Sequence, residues 1–228
     1  VSDAPTGSSE LEPPGDPASG VTATELERVL APDAGAGNPG PLHGSIAPDD
    51  SQLPISERRA AVATIFYAGP SDTEMLFIQR AKFDGDPWSG QMAFPGGRVE
   101  PEDPDTHATA ERETEEEIGL DLGGVRRLGG LADMEGGRAT NRLIQVSAHC
   151  YWLATPRPSV TPNYEVADIV WVPISDLLDE GRYIDYRYRN GDVPFPGIQL
   201  DHPDQVIWGL TLRFLADLFQ RLDRPFII

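Results

Sequence analysis

The chain predicts an α/β fold with a mixed β-sheet between helices, and three observations carry that expectation. Segments rich in β-branched and aromatic residues alternate with two substantial helical segments, as layered sheet and helix require. The connections are too irregular for a doubly wound sheet. Near the middle, a Gly96-Gly97 turn leads through a loop into a helix dense in carboxylates, which stops at Gly119.

Taken in order, residues 1–57 read as an N-terminal extension, largely disordered. Residues 1–20 and 32–56 are rich in Pro, Gly, Ser and Asp, a composition that buries too little apolar surface to order itself. A short amphipathic helix is expected near 22–30, with Thr22 as its cap and Glu25 in the capping-box position. The domain proper is expected over 58–228. Residues 60–67 pattern as a buried strand, Gly69-Pro70-Ser71-Asp72 as a turn, and 75–80 as the returning strand. A polar loop over 82–88 precedes a short apolar stretch, 90–94. Asp105 or Thr106 caps the acidic helix. Residues 125–131, 143–153 and 166–172 read as strands, and 175–178 as a short helix. Prolines 194 and 196 reduce 182–200 to an edge strand or a loop. Residues 204–222 read as a long apolar helix with two stripes. Ile207, Leu210, Phe214 and Leu218 would pack on the sheet. Trp208, Leu212, Leu215 and Phe219 would also pack, or would face a second copy in a homodimer.

Charge narrows the partners. There are 37 acidic residues against 18 basic ones, a formal net charge of -19. Such a surface repels nucleic-acid backbones and anionic membranes, so neither is an expected partner. A small anion can still bind where a metal and a few arginines mask the field. The acidic, lysine-poor balance fits either a salt-rich cytoplasm or a genome that favours Arg codons. No apolar run approaches the length of a membrane span, and the first residues lack the features of a secretory signal. The lone Cys150 cannot form an intrachain disulfide, which fits a reducing compartment. A cytoplasmic location is the expectation.

The chemistry centres on Glu113, Glu116 and Glu117. Their i, i+3, i+4 spacing puts three carboxylates on one face of one helical turn, where they repel unless a cation lies between them. The Gly96-Gly97 pair can turn sharply and bring a backbone carbonyl near the same place. An all-oxygen donor set of this kind suits Mg2+ or Mn2+. Such an ion polarises phosphoryl oxygens and lowers the pKa of water. Arg112 can hold neighbouring carboxylates in a fork of hydrogen bonds. Arg80 is a candidate for a substrate phosphate and Glu165 for a ligand or base, each set against a purely structural role. The four histidines show no ligand spacing.

Gly97 through Leu120 resembles a Nudix box, whose pattern is G-x5-E-x7-R-E-U-x-E-E-x-G-U with U aliphatic. Arg112, Glu113, Glu116, Glu117, Gly119 and Leu120 match its second half, with Thr114 in an aliphatic position. The first half is one residue longer, and Asp103 stands where Glu is expected. The resemblance implies a Nudix α/β/α sandwich and hydrolysis of a diphosphate joined to another moiety by water attack at phosphorus. It implies metal ligation by the Gly96 carbonyl, Glu116 and Glu117. Glu113 would be a further ligand or the proton acceptor, and Arg112 would orient the glutamates. The run Gly90-Gln91-Met92-Ala93-Phe94-Pro95-Gly96-Gly97, the longer box and Ile207-Trp208-Gly209-Leu210-Thr211 are similar to the branch that contains coenzyme A diphosphatases. That branch expects an arginine in the loop after Arg80, and residues 82–89 contain none. The expected partner is a nucleoside diphosphate derivative, with CoA or a CoA-like compound first. ADP-ribose, dinucleotides, damaged nucleotides and a non-catalytic ligand-binding domain are the alternatives.

Overall fold

A computed structural model describes residues 18–30, 58–86, 88–136, 143–154, 156–188, 191–224 and 226. The expected disorder of residues 1–20 and 32–56 lies outside them except at 18–20, which are ordered by bonds from Ala18 to Ser71 and from Ser19 to Asp72. The first helix, α1, is Ala23–Leu30. Strands β1 (Arg59–Ala68), β2 (Thr73–Arg80), β3 (Met92–Ala93) and β4 (Gly96–Arg98) lead to helix α2 (Thr106–Ile118). Then come β5 (Arg126–Gly130), β6 (Met134–Gly136), β7 (Ile144–Leu153), β8 (Val166–Pro173) and the short helix α3 (Ile174–Leu177). Strands β9 (Tyr183–Tyr186), β10 (Phe195–Gln199) and β11 (Val206–Trp208) precede the last helix, α4 (Gly209–Arg221).

Strand β1 is the axis of the main sheet. It runs parallel to β7, from Arg59↔Gln145 to Tyr67↔Leu153. Its other edge is shared by two antiparallel partners. β4 takes the first part (Ala60↔Arg98 to Val62↔Gly96), and β2 takes the last (Phe66↔Met75 to Ala68↔Thr73). The sheet order is β3-β2-β1-β7-β5, with β8 on β2 and β6 on β7, so the sheet is mixed. Side chains of β1 alternate between the two faces, as the strand period requires. Ala61, Ala63 and Ile65 join Ala110 and Ile118 of α2 in one core. Phe66, with Phe77 and Cys150, joins Leu212, Phe214, Leu215, Leu218 and Phe219 of α4 and Leu26 and Leu30 of α1 in the other. The sheet therefore lies between α2 on one face and α1 with α4 on the other. No described helix is long and apolar enough to cross a membrane.

Three expectations are corrected. Residues 204–222 are not one helix. Val206–Trp208 pairs with β10 (Ile198↔Ile207), and helix begins at Gly209. Two adjacent β-branched residues, Val206 and Ile207, favour the strand, and Trp208 keeps an extended backbone (φ -151°). Residues 182–200 hold two strands rather than one: β9 is an edge strand, as expected, but β10 is paired on both sides. Pro196 is tolerated in β10 because the β11 pairing starts one residue later at Gly197, leaving only Asp185 across from it. The second stripe of the last helix is not left over for a partner subunit, since Leu212, Leu215 and Phe219 are all buried inside the chain.

Helix α1 starts at its expected cap, with the Glu25 N–H donating to Thr22 Oγ1 at 3.2 Å. It closes the α4 core. Val21, Leu26 and Leu30 are buried, and Thr73 Oγ1 donates to the Val21 carbonyl at 2.5 Å. Ser19 donates through both its N–H and its hydroxyl to Asp72, which also accepts the Ser175 N–H. Leu26→Ala removes a fully buried side chain and should lower unfolding stability by about 2–4 kcal/mol, read as a lower urea midpoint. A midpoint equal to wild type would show that α1 is not part of the cooperative unit.

Candidate active site

Helix α2 is capped at both ends by local chemistry. Asp105 Oδ1 accepts the Ala108 N–H at 2.9 Å, and Gly119 closes the last turn with φ 67°. Thr114, in the position expected to be aliphatic, is fully buried. Its hydroxyl donates to the Ala110 carbonyl at 2.6 Å, so burial leaves no polar group unmatched. The carbonyls at the end of the helix are taken by the loop before β8. The N–H groups of Thr161 and Asn163 donate to the Ile118 and Glu117 carbonyls, each at 2.8 Å.

The three glutamates occupy three different environments. The Glu116 side chain is 58% exposed, that of Glu113 is 17% exposed, and that of Glu117 is 3% exposed. Glu117 Oε2 accepts the Gly96 N–H at 2.9 Å, and Arg80 Nη1 lies 3.8 Å from Oε1. Burial pushes the Glu117 carboxyl up to about 7. The Gly96 N–H and Arg80 oppose that rise, while the charges of Glu113 and Glu165 add to it. Burial raises Glu113 as well, against the pull of Arg112.

Arg112 organises the exposed side of the cluster. Nη1 donates to Glu113 at 3.1 Å and to Glu116 at 3.4 Å. Nε and Nη2 grip Asp103 in a fork at 3.0 and 2.9 Å, and Nη2 also donates to the Arg98 carbonyl. Asp103 is buried, which by itself would raise its carboxyl. Hydrogen bonds from Arg112, the Glu100 N–H and the Thr109 hydroxyl outweigh that and hold it below its ordinary value. Asp103 was assigned no role from sequence. It is the anchor that fixes Arg112, and its signal was its place in the loop between Gly97 and the helix.

Gly96 and Gly97 form the floor. Gly96 has φ 151°, and a Cβ there would meet the Ala61 carbonyl at 2.2 Å. At Gly97 a Cβ would fall 2.3 Å from the Glu113 carboxylate, so only glycine lets the turn approach that closely. The Gly96 contact to a glutamate is made through its N–H. Glu165 sits at the entry to β8; its N–H donates to Asn163 Oδ1 and its carbonyl accepts the Ala81 N–H. Arg80 also bonds Asp86 at 3.4 Å, and its Nε–H is buried without a hydrogen-bond partner among the described residues.

Among the described residues, no three carboxylate, imidazole or thiolate groups are drawn together as in a coordination shell. Glu113 and Glu116 turn onto Arg112, while Glu117 turns inward to Gly96. Like charges on one turn separate toward the nearest cation or donor. The donor chemistry still fits a hard divalent ion. All the side-chain donors are oxygens, the buried carboxylate is short of positive charge, and the space against Gly97 is one that a Cβ would fill.

A cavity of about 270 Å3 opens beside this cluster, across β4. Arg80, Gly96, Gly97 and Arg98 line it on the carboxylate side. Trp88, Met92, Phe94, Ile144, Val146, Trp208, Leu210 and Phe214 make the rest largely apolar. The β9–β11 sheet, which brings Trp208 here, was missed as a pocket-forming part.

The α/β fold thus carries a carboxylate helix facing a Gly–Gly turn, with an arginine tether and an adjoining pocket. The chain belongs to the Nudix family: the family model described as the NUDIX domain matches residues 57–189. It is 32% identical over 185 residues to the uncharacterized Nudix hydrolase NudL of Photorhabdus laumondii, covering 78% of this chain and 92% of that protein. The protein of the same name in Yersinia pestis is 29% identical over 172 residues, covering 74% and 81%. Among solved structures, an Ap4A hydrolase of C. elegans matches 53% of this chain and 83% of its own at 21% identity and a TM-score of 0.45. The protein is thus a Nudix hydrolase, an enzyme of the class that acts on nucleoside diphosphate derivatives, and such enzymes generally use divalent metals.

The Glu117 environment has a pH consequence. Its folded-state value is raised from 4.5 to about 7, so the fold prefers the protonated form. In chelator-treated protein that contribution is full below about pH 4.5 and is lost as pH rises through about 7. Glu117→Gln stays neutral throughout. It should exceed wild type in stability by about 2–3 kcal/mol at pH 8 and match it near pH 4, as read by urea unfolding across pH. Parallel stability curves for the two proteins would contradict the assignment.

Proposed function

We propose that this enzyme hydrolyses the diphosphate linkage of CoA or a CoA-like nucleoside diphosphate derivative, with Mg2+ or Mn2+ as cofactor. One observation carries the choice of substrate. The two stretches that resemble the coenzyme A diphosphatase branch lie far apart in sequence, yet both line the same cavity. Gln91, Phe94, Gly96 and Gly97 come from the first, and Trp208, Leu210 and Thr211 from the second. An apolar recess of this size beside the glutamates suits an extended, uncharged arm attached to a diphosphate.

In this reading Glu113, Glu116, Glu117 and the Gly96 carbonyl hold the ion. When bound, the ion neutralises phosphoryl oxygens and lowers the pKa of water. Glu113, half-buried and with its carboxyl raised, accepts the proton of the attacking water. Arg112, clamped by Asp103, keeps Glu113 and Glu116 from drifting apart. Arg80, which lines the cavity, presents its guanidinium to a phosphate there. Glu165, at the entry to β8, is the further candidate for a metal ligand or base. Residues 58–228 form the catalytic domain, and the segment that includes α1 braces it from outside the sheet.

The test is a panel of CoA, ADP-ribose, NADH, dinucleotides and oxidised nucleoside triphosphates, assayed with Mg2+ and with Mn2+. CoA should give 3',5'-ADP and a phosphopantetheine with the highest kcat/KM. Faster release of AMP from ADP-ribose or NADH would replace the CoA assignment. Glu116→Gln should remove most of the activity, and Glu113→Gln should cost about 10²–10⁴-fold in kcat. A Glu116→Gln enzyme as fast as wild type would sink the metal assignment.

A further inference from the structure

Two loops flank the carboxylates, and each puts out one exposed aromatic ring. The first leaves β2 after Arg80 and carries Phe83, 46% exposed; the second enters β8 and carries Tyr164, 77% exposed. The rings meet edge to face, with centroids 6.4 Å apart and planes at 77°. Neither loop is free of the site. The Ala81 N–H donates to the Glu165 carbonyl at 2.7 Å, which ties the loops together. The Asn163 N–H donates to the Glu117 carbonyl at 2.8 Å, which ties the second loop to the helical turn bearing the glutamates. The Glu165 carboxylate next to Tyr164 raises the Tyr164 hydroxyl, and its charge also acts on Glu117. Among the described residues, the other two large exposed apolar side chains are Val193 and Phe195, and Phe195 packs on Trp208.

We infer that Phe83 and Tyr164 form a stacking platform for the nucleobase of the substrate. The inference rests on the diphosphatase reading above and says which end of the substrate goes where. The apolar cavity includes neither ring in its lining. A base carries polar edges that an apolar recess leaves unmatched, whereas an exposed platform covers one flat face and leaves the edges in water. The diphosphate then lies between the two subsites, over Arg80 and the glutamates, with the base on the loops and the remaining arm in the cavity. Two exposed rings fixed to the rim of a carboxylate cluster have no packing task in the fold. Stacking explains why the loops hold them there.

The experiment is NMR titration of the full-length protein in Mg2+ with AMP, and with ribose 5-phosphate as the base-free control. AMP should shift the ring resonances of Tyr164 and Phe83. Tyr164→Ala should weaken AMP binding about tenfold, the equivalent of about 1.4 kcal/mol, while ribose 5-phosphate binding stays the same. Tyr164→Phe keeps the ring and should keep AMP affinity within about twofold of wild type. Both variants should melt at the wild-type temperature, because the side chain is exposed. In turnover, Tyr164→Ala should raise KM for a nucleoside diphosphate substrate with little change in kcat. The proposal is overturned if AMP fails to bind wild type, if it shifts Trp88 and Trp208 while leaving Tyr164 and Phe83 unmoved, or if Tyr164→Ala binds AMP as wild type does. AMP binding on the pair in a protein that cleaves none of the diphosphate panel would support the platform and overturn the diphosphatase reading separately.

Discussion

Three carboxylates on one turn of α2 repel one another, and the parts around that helix are arranged to contain the repulsion. Arg112 sits between Glu113 and Glu116 and is itself held by the Asp103 fork. Glu117 escapes in the other direction, into the protein, where the Gly96 N–H meets it. The result is a graded set: one carboxylate in water, one half-buried and one buried. Graded burial gives chemically similar side chains different proton affinities, which a site needs if one group is to bind charge while another moves a proton.

That containment works only because β1 shares one edge between two strands. β4 pairs with its first residues and β2 with its last, and the chain crosses between them at Pro95, whose carbonyl accepts the Ala63 N–H at 2.8 Å. The crossing brings Gly96 and Gly97 beneath α2 on one side and to the wall of the cavity on the other. A side chain at Gly97 would strike Glu113, so the glycine turn sets the distance between glutamates and cavity. The α4 core, closed by Leu26 and Leu30 of α1, backs the same sheet.

Much of this was legible in local sequence. The capped helix over Thr106–Ile118, its Gly119 stop and the glycine turn are all written in neighbouring residues, because caps and turns depend on side chains a few positions away. The hairpin of β1 and β2 was readable for the same reason. What misled was apolar content without period. Val206-Ile207-Trp208 reads equally as helix or strand, and the choice fell to a partner strand, β10, that sequence spacing does not reveal. The double apolar stripe of α4 looked like a surface with a face left over. It is buried on both sides because α1 and the sheet both reach it.

Residue identity and short spacing were enough to read the family, the carboxylate set and the acidic character of the molecule. Tertiary structure alone decided which glutamate is buried, that Asp103 rather than a glutamate anchors Arg112, and that Gln91 and Trp208 share a cavity. Those outcomes depend on which segments cross β1 and in what register. Register is a long-range property: it is fixed by the joint burial of two cores and not by any single stretch of chain.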